Sequence, residues 1–431
     1  MKILSYGMRG PQVQLLQLAL ERAGFSAGAA DGIFGQNTLR ALRRFQESRE
    51  LVPDGIAGRA THAALRPYYT GYFTHVLCPG DSFYRLAAAY GTTVAAIAAA
   101  NPGLNPMNLP VGASVTVPLP FAVVPTNIDW CSELVAFCCE GISMRYPFVV
   151  RGSIGQSVMG RPLWRLTLGN PENARVLYNA AHHANEWITV PLLLRFTEEL
   201  ARAYAFDLEI FGKRARALLQ DVGLSAIPCV NPDGLDLVTG DLDGGPFYEG
   251  VRSIAADYPA IPFPNGWKAN IRGTDLNLQY PAGWENARDI KFAQGFTSPA
   301  PRDYVGTAPL SAPEARAMYD YTLAYSPALT LSYHTQGEVI YWKFLNFDPP
   351  RAAEIARLFS AVSGYAVETT PYASGFAGYK DWFIQNYNRP GYTIEAGSGI
   401  NPLPIRDFSE IYRKNLGILT SALAVFSDEN L

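Results

Sequence analysis

In His183-Ala184-Asn185-Glu186 an imidazole and a carboxylate stand three residues apart, so both can project from one turn toward a common point. That pairing suits a metal ion, although a bare His-x-x-Glu also arises by chance on solvated helix faces. Histidine is scarce: His62, His75, His182, His183 and His334 are the only five. The first two fall in front segments that hold no catalytic set, which leaves three to build a metal site. Downstream of His183 come further polar segments, Asn231-Pro232-Asp233-Gly234, Gly273-Thr274-Asp275-Leu276-Asn277, Ser332-Tyr333-His334 and Thr393-Ile394-Glu395.

These segments need a scaffold that brings them together. From about Trp130 the chain alternates buried strands with helices, as in Val176 to Ala181 followed by Thr189 to Tyr204. Further strands are expected at Leu224 to Val230, Ala328 to Tyr333 and Gly391 to Ile394, each with polar residues at its end. In open α/β sheets ligands bind outside the carboxyl ends of strands, so these ends are expected to converge on one site.

A chain of 431 residues exceeds one ordinary core, and length suggests about two to four domains. Hydrophobic residues make up 48% and charged residues 17%, a globular profile. A net charge of -3 offers no field for polyphosphate, which argues against nucleic acid as a partner. No run of apolar residues is long enough to insert in a membrane, and Met1 to Gly10 has neither an apolar h-region nor a cleavage site. The expectation is a chain made without a secretion signal, as in the cytoplasm of a sporulating cell, or the mature form of a protein associated with the cell wall. Cys78, Cys131, Cys138, Cys139 and Cys229 have no ribbon or disulfide spacing and read as free, mostly buried thiols.

The first 66 residues contain an echo: Asp31-Gly32-Ile33-Phe34-Gly35 with Thr38, then Asp54-Gly55-Ile56-Ala57-Gly58 with Thr61. Each copy is a turn leading into a helix. With Gln17 after Leu16, and Phe45-Gln46, this pattern resembles the three-helix peptidoglycan-binding domain. Next, Thr74-His75-Val76-Leu77 reads as a strand, Gly80-Asp81-Ser82 as a turn and N-cap, and Val115-Thr116-Val117-Pro118 as a closing strand, with two Ala-rich helices between. With Asn101-Pro102 and Leu109-Pro110-Val111-Gly112, this order resembles a LysM domain, which implies binding of N-acetylglucosamine-containing glycans. An inert spacer and a small packing unit are the bland alternatives. Pro118 to Pro125 reads as a stiff linker. The expected divisions are residues 1–68, 72–119, a linker over 120–129, and a catalytic domain over 130–431.

In order and context, the polar segments from His183 to Glu395 resemble the zinc carboxypeptidase family. Trp267-Lys268-Ala269-Asn270, Tyr379-Lys380-Asp381-Trp382 and Glu395-Ala396-Gly397 look like its γ-D-glutamyl-diaminopimelate peptidases, which cut peptidoglycan stem peptides. The fold implied is a mixed sheet flanked by helices. Carried over by resemblance, His183, Glu186 and His334 bind one Zn²⁺, with a fourth position left for water. His182 is the rival to His183, but it stands four residues before Glu186 where the family's ligand stands three. Asp275 matches the carboxylate that fixes the first histidine's tautomer, or is a turn former. Glu395 matches the general base. Lys268 stands where carboxypeptidases carry an oxyanion-stabilising arginine, with Arg272 able to share that work. Tyr372 matches the mobile tyrosine over the substrate, with an ordinary packed tyrosine as its competitor.

Carboxypeptidases hold a terminal carboxylate with an asparagine followed by an arginine, but Asn277 is followed by Leu278. Asn277 can still donate a hydrogen bond, and Arg272 or Arg406 is a candidate for the missing fork. The expected activity is therefore hydrolysis of the γ-D-glutamyl bond before the diamino acid. A general carboxypeptidase, or a non-catalytic wall-binding protein, remains the alternative.

Overall fold

The echo of Asp-Gly turns is written twice in hydrogen bonds. Gln17 Nε2 donates to Asp31 Oδ1 (2.8 Å), Ile33 O (3.1 Å) and Thr38 Oγ1 (3.0 Å), while its Oε1 accepts from Gly32 N (2.9 Å). Gln46 repeats the set with Asp54 Oδ1 (2.9 Å), Ile56 O (3.1 Å), Thr61 Oγ1 (3.2 Å) and Gly55 N (2.9 Å). Each buried amide is satisfied at both ends, and each ties its helix to the turn that opens the next. The helices are Pro11–Arg22, Gln36–Ser48 and Arg59–Thr70. Gly32 and Gly55 sit at φ of 73° and 77°, a conformation costly for residues with a Cβ.

The structure, a computed structural model, describes residues 1–427. It forms two compact units, Met1–Val150 and Arg151–Leu431. In the first, the three helices are followed by strands β1 (Tyr72–Val76) and β2 (Ser114–Pro118), paired antiparallel with Tyr72 opposite Pro118. Between them lie helices Phe83–Tyr90 and Val94–Ala100, capped by Ser82 and Thr93. Asn101 binds the end of the second helix to β2 through Ile97 O and Thr116 O, both at 2.7 Å.

The segment expected to act as a stiff linker is packed instead. Val123 and Val124 are buried, and Arg22 donates to Ala122 O at 2.9 Å with its guanidinium over the Phe121 ring. Helix Ser132–Arg145, which the sequence assigns to the catalytic domain, groups with the first unit: Phe137 stacks on Tyr69 at 5.2 Å, and Glu140 pairs with Arg66. Two apolar valines and an aromatic make burial more favourable than an extended spacer.

Strands β3 (Val150–Gln156), β4 (Pro162–Gly169) and β5 (Ala174–Ala180) lead into the second unit. After a two-stranded ribbon of β6 (Glu209–Ile210) and β7 (Lys213–Arg214) come β8 (Val222–Ile227), β9 (Leu329–His334), β10 (Val339–Tyr341), β11 (Ala366–Glu368) and β12 (Gly391–Glu395). The mixed sheet has the order β11-β10-β12-β9-β5-β8-β4-β3. Its middle strands β12, β9, β5 and β8 are mutually parallel. Both faces are covered, as parallel strands require. Leu177 and Ile227 pack with Met318, Tyr379 and Trp382 on one side. On the other, Tyr178 meets Phe196 and donates to Leu419 O.

Changing Gln46→Ala would leave Gly55 N–H and Asp54 without their shared partner. We expect a local loss on the order of 1–3 kcal/mol. It should appear as faster native-state amide exchange at Gly55 and Ile56, with the eight-stranded sheet exchanging as before.

Candidate metal centre

Four parallel strands deliver their carboxyl ends to one edge of the sheet, and the chain's chemistry collects there. Past β5, Ala181 adopts a positive φ of 54° and the turn Ala184–Glu186 follows, which sets His183 and Glu186 side by side. Thr189 holds that turn, donating to Glu186 O at 2.7 Å and accepting from Ala181 N. Asn231, past β8, donates to His182 O and Ala269 O, so the Asn-Pro-Asp-Gly segment serves as a clasp. β9 ends on His334 and β12 on Glu395, which are register partners.

The three side chains meet closely. His183 Nδ1 lies 3.0 Å from Glu186 Oε1, His334 Nδ1 lies 2.9 Å from Glu186 Oε2, and the two imidazole nitrogens are 3.2 Å apart. On its far side, His183 Nε2 donates to Asp275 Oδ1 at 3.1 Å. A carboxylate can only accept, so the proton belongs on Nε2 and the Nδ1 lone pair faces the cluster. Burial works against charge on His183, but Glu186 and Asp275 outweigh it and hold its pKa up at about 9. Burial would likewise raise Glu186, yet His183, Lys268 and His334 hold it well below the usual carboxylate range. The cluster therefore calls for positive charge, and two imidazole nitrogens with a carboxylate are a zinc donor set. The residues fit the ion.

His182 turns away. It is fully buried, with Nε2 on the Tyr280 hydroxyl at 2.9 Å, and burial among other imidazoles pushes its pKa well down.

A cavity of about 260 Å³ opens over the cluster, lined by His183, Glu186 and His334 together with Lys268, Asp275, Asn277 and Glu395. Lys268 Nζ donates to Glu186 Oε1 at 2.9 Å. Burial disfavours its charge, but Glu186 raises its pKa, so the ammonium persists. Burial raises the pKa of Glu395, against the opposing pull of His334. Asn277 Oδ1 accepts from Tyr379 N, which leaves its NH₂ as the group available to a ligand. Leu278 also lines the cavity.

Three residues from the sequence analysis lie elsewhere. Arg272 is exposed and absent from the cavity wall; its backbone N–H and that of Thr274 donate to Asn270 Oδ1, closing a turn. Arg406, in a turn before the last helix, has a side chain 83% exposed. Tyr372 is 69% exposed, edge-on to Phe376 at 5.0 Å, and lines a neighbouring depression with Lys343 and Phe344. Lys291, Arg302, Asp303, Lys380 and Asp381 also line the main cavity, where the sequence assigns them no role. Lys380 and Asp381 stand beside Trp382-Phe383-Ile384, and adjacent charges leading into an apolar run are the available signal. Arg302 carried none.

A doubly covered α/β sheet with a His-Glu-His cluster at its strand ends defines a zinc metallopeptidase. The sequence agrees: residues 136–416 match the zinc carboxypeptidase family, and the chain belongs to it. Residues 9–65 match a putative peptidoglycan-binding domain and 75–118 a LysM domain. The chain is 45% identical over 280 residues to a Lysinibacillus sphaericus protein named gamma-D-glutamyl-L-diamino acid endopeptidase 1, covering 64% of this chain and 68% of that one. It is 39% identical over 280 residues to the uncharacterized protein YqgT of Bacillus subtilis, covering 64% and 73%. Thrombin activatable fibrinolysis inhibitor shares the fold, with a TM-score of 0.56 at 20% identity over 70% of this chain and 75% of that structure. No helix among the described residues is long and apolar enough to cross a membrane.

Asp275→Ala would remove the acceptor that fixes the His183 tautomer. Zinc affinity, measured by chelator competition, is expected to fall roughly 10- to 100-fold.

Proposed function

We propose that this protein hydrolyses the γ-D-glutamyl bond that precedes the diamino acid in peptidoglycan stem peptides. The observation that carries the reading is the 45% identity over 280 residues to a protein named for that activity, in a chain whose residues 136–416 match the zinc carboxypeptidase family and hold the zinc cluster and Glu395. Two features of the cavity support it. Leu278 stands where a carboxypeptidase's carboxylate-binding arginine would be, which weakens recognition of an ordinary C-terminus. The wall carries Lys380 and Asp381, which suits a substrate with charges of both signs.

Zinc held by His183, Glu186 and His334 supplies a Lewis acid that activates water and polarises the scissile carbonyl. In this reading Glu395, whose carboxyl is tuned upward by burial, takes the proton of the attacking water and passes it to the departing amine. Lys268 faces the oxygen on which negative charge develops; a point charge on a flexible stem can serve both Glu186 and that oxygen. Asp275 keeps the His183 ring in place, and the Asn277 NH₂ donates to the substrate. Tyr372 and Arg272 would act only from the rim, Tyr372 by covering a peptide lying across the neighbouring depression. The modules over 1–68 and 72–119 would hold the glycan strand while the domain after them works on the stems, raising local substrate concentration. Use at the cell wall or within a sporulating cell fits this polymer.

Digestion of purified muropeptides, followed by mass, should give products ending in γ-D-Glu from both tri- and tetrapeptide stems. Release of single amino acids from hydrophobic C-terminal peptides, without that product, would instead establish a general carboxypeptidase. Glu395→Gln should retain zinc and lose roughly two or more orders of magnitude in turnover, as loss of a general base implies.

A further inference from the structure

A γ-linked glutamyl residue differs from every ordinary peptide residue on the acyl side of the scissile bond. It carries a free α-carboxylate where an ordinary chain carries an amide. An enzyme that reads this linkage needs a cation held beside the group that faces the acyl oxygen, and that cation must not already be neutralised.

Arg302 meets those conditions. It lines the cavity next to Lys268, near enough that the two cations oppose each other's charge. Its loop is nailed to the site by backbone bonds. Pro301 O accepts from Lys268 N (2.7 Å) and Ala269 N (2.9 Å), Tyr304 O accepts from Asp275 N (2.9 Å), and Asp303 N donates to Asp275 Oδ2 (3.1 Å). The guanidinium is oriented at one end only: Nε donates to Asp303 Oδ2 at 2.6 Å, while Nη1 and Nη2 make no hydrogen bond to any described residue. Asp303 is not left to cancel it, because Lys291 Nζ, buried, pairs with the other carboxylate oxygen at 2.6 Å. The Lys291–Asp303–Arg302 chain therefore keeps one surplus positive charge. Its outer end is a two-donor fork on a side chain 44% exposed and anchored at Nε, a donor pair that matches a carboxylate.

Building on the proposed peptidase activity, we infer that Arg302 is the specificity residue that binds the α-carboxylate of the γ-D-glutamyl residue, so that the enzyme tells a γ-linkage from an α-linkage. It takes the place left by Leu278 in charge but not in position. In this inference it binds on the acyl side, beside Lys268, and apart from Asn277, whose Oδ1 accepts from Tyr379 N.

The test compares kcat/KM of the zinc-loaded full chain for three stem peptides: the free acid, one with the D-Glu α-carboxylate amidated, and one amidated instead on the diamino acid. The wild type should prefer the free acid over the D-Glu amide roughly 10- to 100-fold, as expected for a charged hydrogen bond. In Arg302→Gln that ratio should collapse toward one, with the change mainly in KM, and Arg302→Lys should restore part of it. The preference concerning the diamino acid amide should not move. Collapse of that second ratio would assign Arg302 to the amine side and overturn the inference, as would an equal loss on all three peptides. So would an unchanged first ratio. Zinc content and a thermal melt check that each variant folds, and Arg302→Lys, which keeps the charge against Asp303, supplies the reading if Arg302→Gln does not. Should the wild type cut none of the three, it is the proposed activity that fails.

Discussion

Three acceptors are pressed together at the centre of this structure, and most of what surrounds them follows from that. Glu186 is 1% exposed, and two imidazole nitrogens point at it. A buried carboxylate without compensating charge costs several kcal/mol. Compensation is built at three distances: the imidazoles and the ion they are suited to hold, then Lys268 on Oε1, then Asp275 behind His183. The imidazoles come from the ends of β5 and β9, and Lys268 and Asp275 from the stretch between β8 and β9. Only a scaffold whose strand ends meet at one edge can supply them, and the four parallel strands at the middle of the sheet do so.

The same requirement accounts for the polar residues that hold the loops. Asn231 clasps two carbonyls, Thr189 pins the Glu186 turn, and the 300–304 loop is bonded to both Lys268 and Asp275. None of these groups carries out chemistry, but a metal site loosened by about an ångström loses much of its function.

Much of this was legible from sequence because it depends on local pattern. Buried strands ended by polar residues marked Val176, Leu329 and Gly391, and the Asp-Gly turns with Gln17 and Gln46 marked the first module. Whatever depended on contacts between distant segments was not. Val123 and Val124 read as a proline-rich spacer because nothing nearby shows that their side chains would be buried. Arg272 and Arg302 are both arginines beside turns, and only the backbone bonds to Lys268 and Asp275 separate the exposed one from the one in the cavity. Short strands such as Val339–Tyr341 and Ala366–Glu368 offer too few residues for a period to be seen.

Charge is distributed in a way that a net value conceals. The whole chain is at -3, which by itself would weakly repel an anionic polymer. Yet Lys268, Lys291, Arg302 and Lys380 all line a single cavity. All four are tied to acids that also line it, Lys268 to Glu186, Lys291 and Arg302 to Asp303, and Lys380 to Asp381. Close pairs of opposite charge fall off quickly with distance in water, so they contribute little to long-range steering. They matter once a ligand has displaced the solvent, when each unpaired donor selects for a carboxylate at a fixed place. On the proposed function, attraction to the wall falls to uncharged sugar contacts in the front modules, and discrimination among peptides to short-range charge in the cavity. The two tasks respond differently to salt: screening barely touches sugar contacts, and it weakens a desolvated ion pair far less than a surface one.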